Sequence, residues 1–197
     1  MLILWMIAAS SLVFALVAPA LATEPREFIL SNGMKVLLVE VPKAPVATVQ
    51  VWYKVGSRNE VMGRAGLSHM LEHMMFKGTA KYPKGTFSRL IRKNGGTDNA
   101  FTSQDFTAYF ENLAADRVDL ALELEADRMQ GLLLDLSELT TEREVVKEER
   151  RLRAEDDPQG ALVEALFAQA YLSHPYHWPV IGWFGDLDAM TLDDLQR

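Results

Sequence analysis

The chain has 197 residues, 49% hydrophobic and 24% charged, with 27 acidic against 20 basic side chains and a formal net charge of −7. That composition belongs to a folded domain, and an acidic balance without a Lys/Arg stripe argues against a nucleic-acid surface, which needs clustered positive charge. Cysteine is absent, which excludes disulfides, thiolate metal sites and cysteine nucleophiles together.

Residues 1–22 contain no Asp, Glu, Lys or Arg and end Pro19-Ala20-Leu21-Ala22. Ala20-Leu21-Ala22 fits a signal-peptidase site. The segment lacks the usual basic start and is nearly long enough to span a bilayer. Two expectations therefore stand: a cleaved signal peptide, or an uncleaved membrane anchor. Either places residues 23–197 outside the cytoplasm, periplasmic or secreted, with the membrane met only through residues 1–22.

Two strands are predicted around Asn32-Gly33, a turn pair that tolerates positive φ. Alternation of Ala47, Val49, Val51, Tyr53 and Val55 with polar residues and Trp52 predicts a third strand with one buried face. Helices are expected from about Ala65 to Phe76 and from Thr86 to Lys93, the second closing on Asn94-Gly95-Gly96. The Thr-, Phe- and Tyr-rich run from Asn99 to Phe110 suits one further strand. A helix follows over 116–134 with an apolar stripe through Val118, Leu122, Ala126 and Met129. Thr141 and Glu144 form a potential capping box for a helix running to about Glu155; Asp156-Asp157-Pro158-Gln159-Gly160 breaks it, and another begins at Ala161. Hairpins mixed with helices, without a βαβ rhythm, indicate an α+β fold, a largely antiparallel sheet with helices packed on it.

His69-Met70-Leu71-Glu72-His73 carries the sharpest chemistry. On a helix the imidazoles at i and i+4 share one face and can bind one metal ion, while Glu72 projects beside it as a base for a bound water. Met70, Leu71, Met74, Met75 and Phe76 make this helix apolar nearly all round, so its polar groups need buried partners. Together with Met62 they read as core or chamber lining. A catalytic zinc site wants a third protein ligand, and with no cysteine a carboxylate is the natural one. Glu142 and Glu149 lie two turns apart on one predicted face with Val145, Val146 and Leu152, although spacing alone also permits Glu149 on a solvated face. His174 and His177, in His174-Pro175-Tyr176-His177-Trp178-Pro179, read as a packed aromatic loop.

These segments resemble the N-terminal part of the pitrilysin/insulinase family of zinc metallopeptidases, related to the mitochondrial processing peptidases. The resemblance rests on His69-x-x-Glu72-His73, on Glu149 placed 76 residues after His73, and on Glu142 seven residues before it. It extends through Gly56-Ser57-Arg58-Asn59-Glu60, Lys77-Gly78-Thr79, Asn99-Ala100-Phe101-Thr102, Asp105 and His174-Pro175-Tyr176.

The resemblance implies Zn²⁺ held by His69, His73 and Glu149, a zinc-bound water activated by Glu72, and Glu142 orienting a ligand histidine. It implies that Asn99, Ala100, Phe101 and Thr102 lie at a sheet edge and pair with an extended peptide substrate. The function expected is a zinc endopeptidase acting on unstructured peptides; the alternative is a non-catalytic peptide-binding or partner subunit of a two-chain peptidase. Family enzymes close two related halves around the substrate. The chain ends at Asp193-Asp194-Leu195-Gln196-Arg197 within helical-looking sequence. Residues 23–197 are therefore expected to be a truncated first half that needs a partner chain or a second half.

Overall fold

A computed structural model describes residues 24–196; the signal or anchor expected over 1–22 lies outside them. The described residues fall into two units, one ending at Ala44 and the other beginning at Pro45. In the first, Arg26–Ile29 (β1) pairs antiparallel with Lys35–Leu38 (β2), with Phe28 opposite Val36. The Asn32 side chain accepts from the Met34 N–H at 3.0 Å and closes the expected turn.

In the second unit Val46–Tyr53 (β3), Thr97–Thr102 (β4) and Thr107–Ala114 (β5) form an antiparallel sheet in the order β3-β5-β4. β3 alternates half-buried and exposed residues as its sequence predicts, while Val55, beyond its end, is exposed. The run from Asn99 to Phe110 is two strands, not one. It reverses at Ser103–Phe106, where the Ser103 N–H donates to the Phe106 carbonyl at 2.8 Å; Ser103 and Asp105 are turn formers set inside a β-favouring run. The reversal leaves β4 paired on one side among the described residues.

Helices cover the sheet: Leu67–Met74 (α1), Thr86–Lys93 (α2), Val118–Gly131 (α3), Leu136–Arg150 (α4), Pro158–Ala170 (α5), Phe184–Ala189 (α6) and Leu192–Leu195 (α7). α1 packs through Met70 and Met74 against Leu139 and Val146 of α4, with Leu187, Met190 and Leu195 completing the cluster. Burying each such side chain stabilises by roughly 1.5–3 kcal/mol, so the seam between α1 and α4 is firmly held. Phe87 and Ile91 of α2 and Leu124 of α3 form a second cluster.

Several helical expectations are corrected. α3 buries Ala121, Leu124, Glu125 and Arg128, while Leu122 and Met129 are exposed. Its inner face is partly polar because Arg128 pairs with Glu125 and reaches Glu111 of β5 inside. α4 starts earlier than Thr141: Asp135 caps it, accepting from the N–H groups of Ser137 and Glu138. The Thr141 hydroxyl instead donates to the Ser137 carbonyl. Val146 is buried, but Val145 and Leu152 are exposed. Beyond α4 the chain forms a π-helical turn, Arg151–Glu155. α5 opens at Pro158 under an Asp157 cap, since proline suits a first helical position. Met62 is 83% exposed and belongs to no core. Among the described residues no helix is long and apolar enough to cross a membrane.

Candidate metal centre and cleft

α1 is aimed by its N-terminus. Glu60 accepts from the N–H groups of Gly66 and Ser68, both at 2.7 Å, satisfying donors that a helix start leaves free. No residue of α1 is exposed. His69 and His73 stand one turn apart with ring centroids 4.6 Å from each other. α4, packed alongside, brings up Glu142 and Glu149.

Glu149 Oε2 lies 3.7 Å from His69 Nε2 and 3.4 Å from His73 Nε2, and the three residues offer ligand atoms all within 4.8 Å of one another. Zinc bonds to nitrogen and oxygen of about 2.0–2.2 Å in a tetrahedron require ligand–ligand edges of roughly 3.4 Å. The donor set and its spacing fit such an ion.

His73 is held from behind. Its Nδ1 meets Glu142 Oε1 at 2.9 Å, and Lys77 Nζ binds Glu142 Oε2. With Nδ1 taken by a carboxylate, Nε2 is left to face Glu149, the arrangement that orients ligand histidines. The charges follow. Burial and the neighbouring His73 bring His69 down to about 4. Burial opposes protonation of His73 too, but the carboxylates of Glu142 and Glu149 outweigh it and raise His73 to about 9. Against its own burial, Glu142 is drawn down to about 2 by His73 and Lys77. Glu72 is pushed up by burial, and its Oε2 accepts the Thr102 hydroxyl at 2.6 Å.

A cleft of about 590 Å³ opens over these groups, floored by His69, Glu72 and His73. Asn99, Ala100, Phe101 and Thr102 of β4 line it along with Val163 and Phe167 of α5 and Trp178. His174 and His177 stay outside the His/His/Glu group. They pack in the aromatic loop as expected, His174 against Tyr176 and His177 against Trp178, and His177 also lines the cleft. The Tyr176 hydroxyl donates to Asp105 at 2.8 Å and joins this loop to the β4–β5 turn.

Comparison with known proteins decides the lineage. The sequence profile described as insulinase (peptidase family M16) matches residues 35–182. The chain belongs to the insulinase family, peptidase family M16. It is 44% identical over 169 residues to the zinc protease PqqE of Helicobacter pylori, covering 85% of this chain and 38% of that one. It is 32% identical over 176 residues to a probable mitochondrial-processing peptidase subunit beta of Arabidopsis thaliana, covering 89% and 33%. The crystal structure of a protease from Helicobacter pylori superimposes with a TM-score of 0.85 at 44% identity, over 88% of this chain and 42% of that one. The antiparallel α+β architecture is thus that of an M16 protease. The chain spans about two fifths of the length of these first relatives.

Three contacts at the centre were not anticipated from the sequence: Lys77 on Glu142, Thr102 on Glu72, and Arg153 on Glu149. Lys77 and Thr102 fall in segments that carry the family resemblance, but nothing in their spacing names a partner. The Arg153 contact joins residues four apart, a spacing the sequence does show, although it does not say which oxygen of Glu149 is taken.

Proposed function

We propose that this chain is the metal-bearing part of a zinc endopeptidase that hydrolyses extended peptides. The observation that carries the reading is the single focus of His69 Nε2, His73 Nε2 and Glu149 Oε2, with Glu72 on the same helix and the edge strand β4 beside it. His69, His73 and Glu149 would hold Zn²⁺, which when bound polarises the scissile carbonyl and acidifies the attacking water. Glu142 fixes the His73 ring through Nδ1. Glu72 takes the proton from the water and returns it to the leaving amine; burial raises its affinity for that proton. The free side of β4, at Asn99, Ala100, Phe101 and Thr102, pairs with the substrate backbone, so recognition falls on extended main chain more than on sequence.

Because the chain spans about two fifths of its first relatives, turnover is assigned to an assembly with a second family half or a partner chain. Residues 1–22 act as an export signal or anchor, and mass spectrometry of the protein from its native host separates the two. Elemental analysis and a peptide-library assay on the assembled protein test the main reading. Stoichiometric zinc and cleavage lost in Glu72→Gln with zinc retained are expected. A zinc-loaded assembly that cuts no peptide would leave the non-catalytic partner role.

A further inference from the structure

Glu149 sits one residue before the end of α4, and its two oxygens have different neighbours. Oε2 faces the imidazoles. Oε1 lies 2.6 Å from Nη1 of Arg153, four residues on. Between them the chain enters the π-turn Arg151–Glu155. Such turns are rare and are frequent at functional sites.

Two neighbours hold this turn in place. Gly160 of α5 lies against it so closely that a Cβ there would stand 2.0 Å from the Arg153 carbonyl oxygen. Arg150 is buried, bonds Glu164 of α5 through both terminal nitrogens at 2.9 and 2.8 Å, and lies over the rings of Trp183 and Phe184. The backbone at Arg153 is thus fixed from both flanks, while the side chain is 71% exposed and lines the cleft. At that exposure the ion pair adds little to stability. Orientation is a separate effect. A carboxylate with one oxygen on a guanidinium presents a single oxygen to a metal, and a free one can swing to present both.

We propose that Arg153 is a positioning residue for Glu149, occupying Oε1 so that Oε2 alone turns toward the metal, and that the π-turn packed on Gly160 carries it there. The inference rests on the metal centre proposed above. Zinc chloride titrated into the full chain against a chromogenic chelator tests it, with zinc-edge X-ray absorption reporting coordination. Arg153→Met should weaken zinc about tenfold, within the range for groups that orient ligands, and should add a second carboxylate oxygen to the coordination shell. Arg153→Lys should recover most of the affinity, and Gly160→Ala should weaken zinc by displacing the turn. Were Arg153→Met to unfold, Arg153→Gln carries the same comparison. Zinc affinity and coordination unchanged in Arg153→Met overturn the proposal and leave the metal centre standing; Arg153 then serves the cleft as an anion contact. An unchanged chain that takes up no zinc overturns both.

Discussion

The Thr102 hydroxyl donates a 2.6 Å hydrogen bond to Glu72 Oε2, tying the edge strand β4 to the helix that carries both histidines. The strand proposed to hold the substrate therefore also aims the proposed base. Hydrogen bonds to charged groups contribute about 1.5–3 kcal/mol. Thr102→Val should lower kcat of the assembled peptidase about tenfold or more with little change in KM, and Thr102→Ser should restore it. Steady-state kinetics on a peptide substrate checks this. A change confined to KM would place Thr102 in substrate binding instead.

Lys77 and His73 grip the two oxygens of Glu142 from opposite sides. The side chains of Lys77 and Glu142 are 13% and 10% exposed, so removing the ammonium leaves a mostly buried carboxylate half-paired. Breaking pairs of this kind destabilises by about 3–5 kcal/mol when burial is complete; with some solvent access, about 2 kcal/mol is expected for Lys77→Met. Zinc affinity should fall as well, because His73 loses a fixed partner at Nδ1. Urea denaturation and a chelator titration measure the two effects, and neither changing would mean that Lys77 does not support Glu142.

Much of this centre is legible in the sequence itself. His69, Glu72 and His73 announce themselves because a helix of period 3.6 converts a five-residue motif into one face. β3 and the hairpin at Asn32-Gly33 were readable because alternation and turn chemistry are local. The reversal at Ser103–Phe106 is weakly marked, by Ser103 and Asp105 alone, since β-favouring residues run on both sides of it and the pairing of β4 with β5 is what separates the strands. The inner face of α3 escapes the sequence for a related reason. Glu125 and Arg128 look solvated in sequence, and it is their mutual pairing together with the rings of Phe76, Phe87 and Tyr109 laid against the guanidinium that accommodates them inside. Tertiary partners decide such positions, and a single sequence does not show them.

That buried group gives a pH prediction. Arg128 is shared by Glu125 and Glu111, with Phe87 and Tyr109 against its guanidinium. One arginine cannot neutralise two buried carboxylates. Burial and the adjacent Glu125 hold Glu111 well above its ordinary value of 4.5, so the folded protein keeps a proton there that the unfolded chain releases. The resulting stability is complete below about pH 4.5 and declines as pH rises toward the raised folded value. Denaturation midpoints followed from about pH 5 to about pH 8 should fall less steeply in Glu111→Gln, which carries no ionisable proton. Parallel slopes in the two proteins would mean that Glu111 is ionised in the fold.

Gly66 and Gly182 meet back to back where the loop before α6 crosses the start of α1. Both have left-handed backbones, φ 92° and 87°. A Cβ on Gly182 would stand 2.4 Å from the Ala65 carbonyl oxygen and 2.8 Å from Gly66 Cα. Gly182→Ala thus combines a backbone penalty of about 1–2 kcal/mol with an overlap that backbone atoms cannot relieve by rotating. The loop must lift or α1 must shift, and α1 carries His69 and His73. The expected result is a protein destabilised by about 2–4 kcal/mol with weaker zinc binding. Gly185→Ala is the control, because Gly185 lies in α6 with nothing within 4 Å of the added methyl. It should be neutral or slightly stabilising. Thermal melts with and without zinc separate the cases: equal loss in both variants would trace the effect to glycine as such, and loss in Gly182→Ala alone to the contact that sets α1.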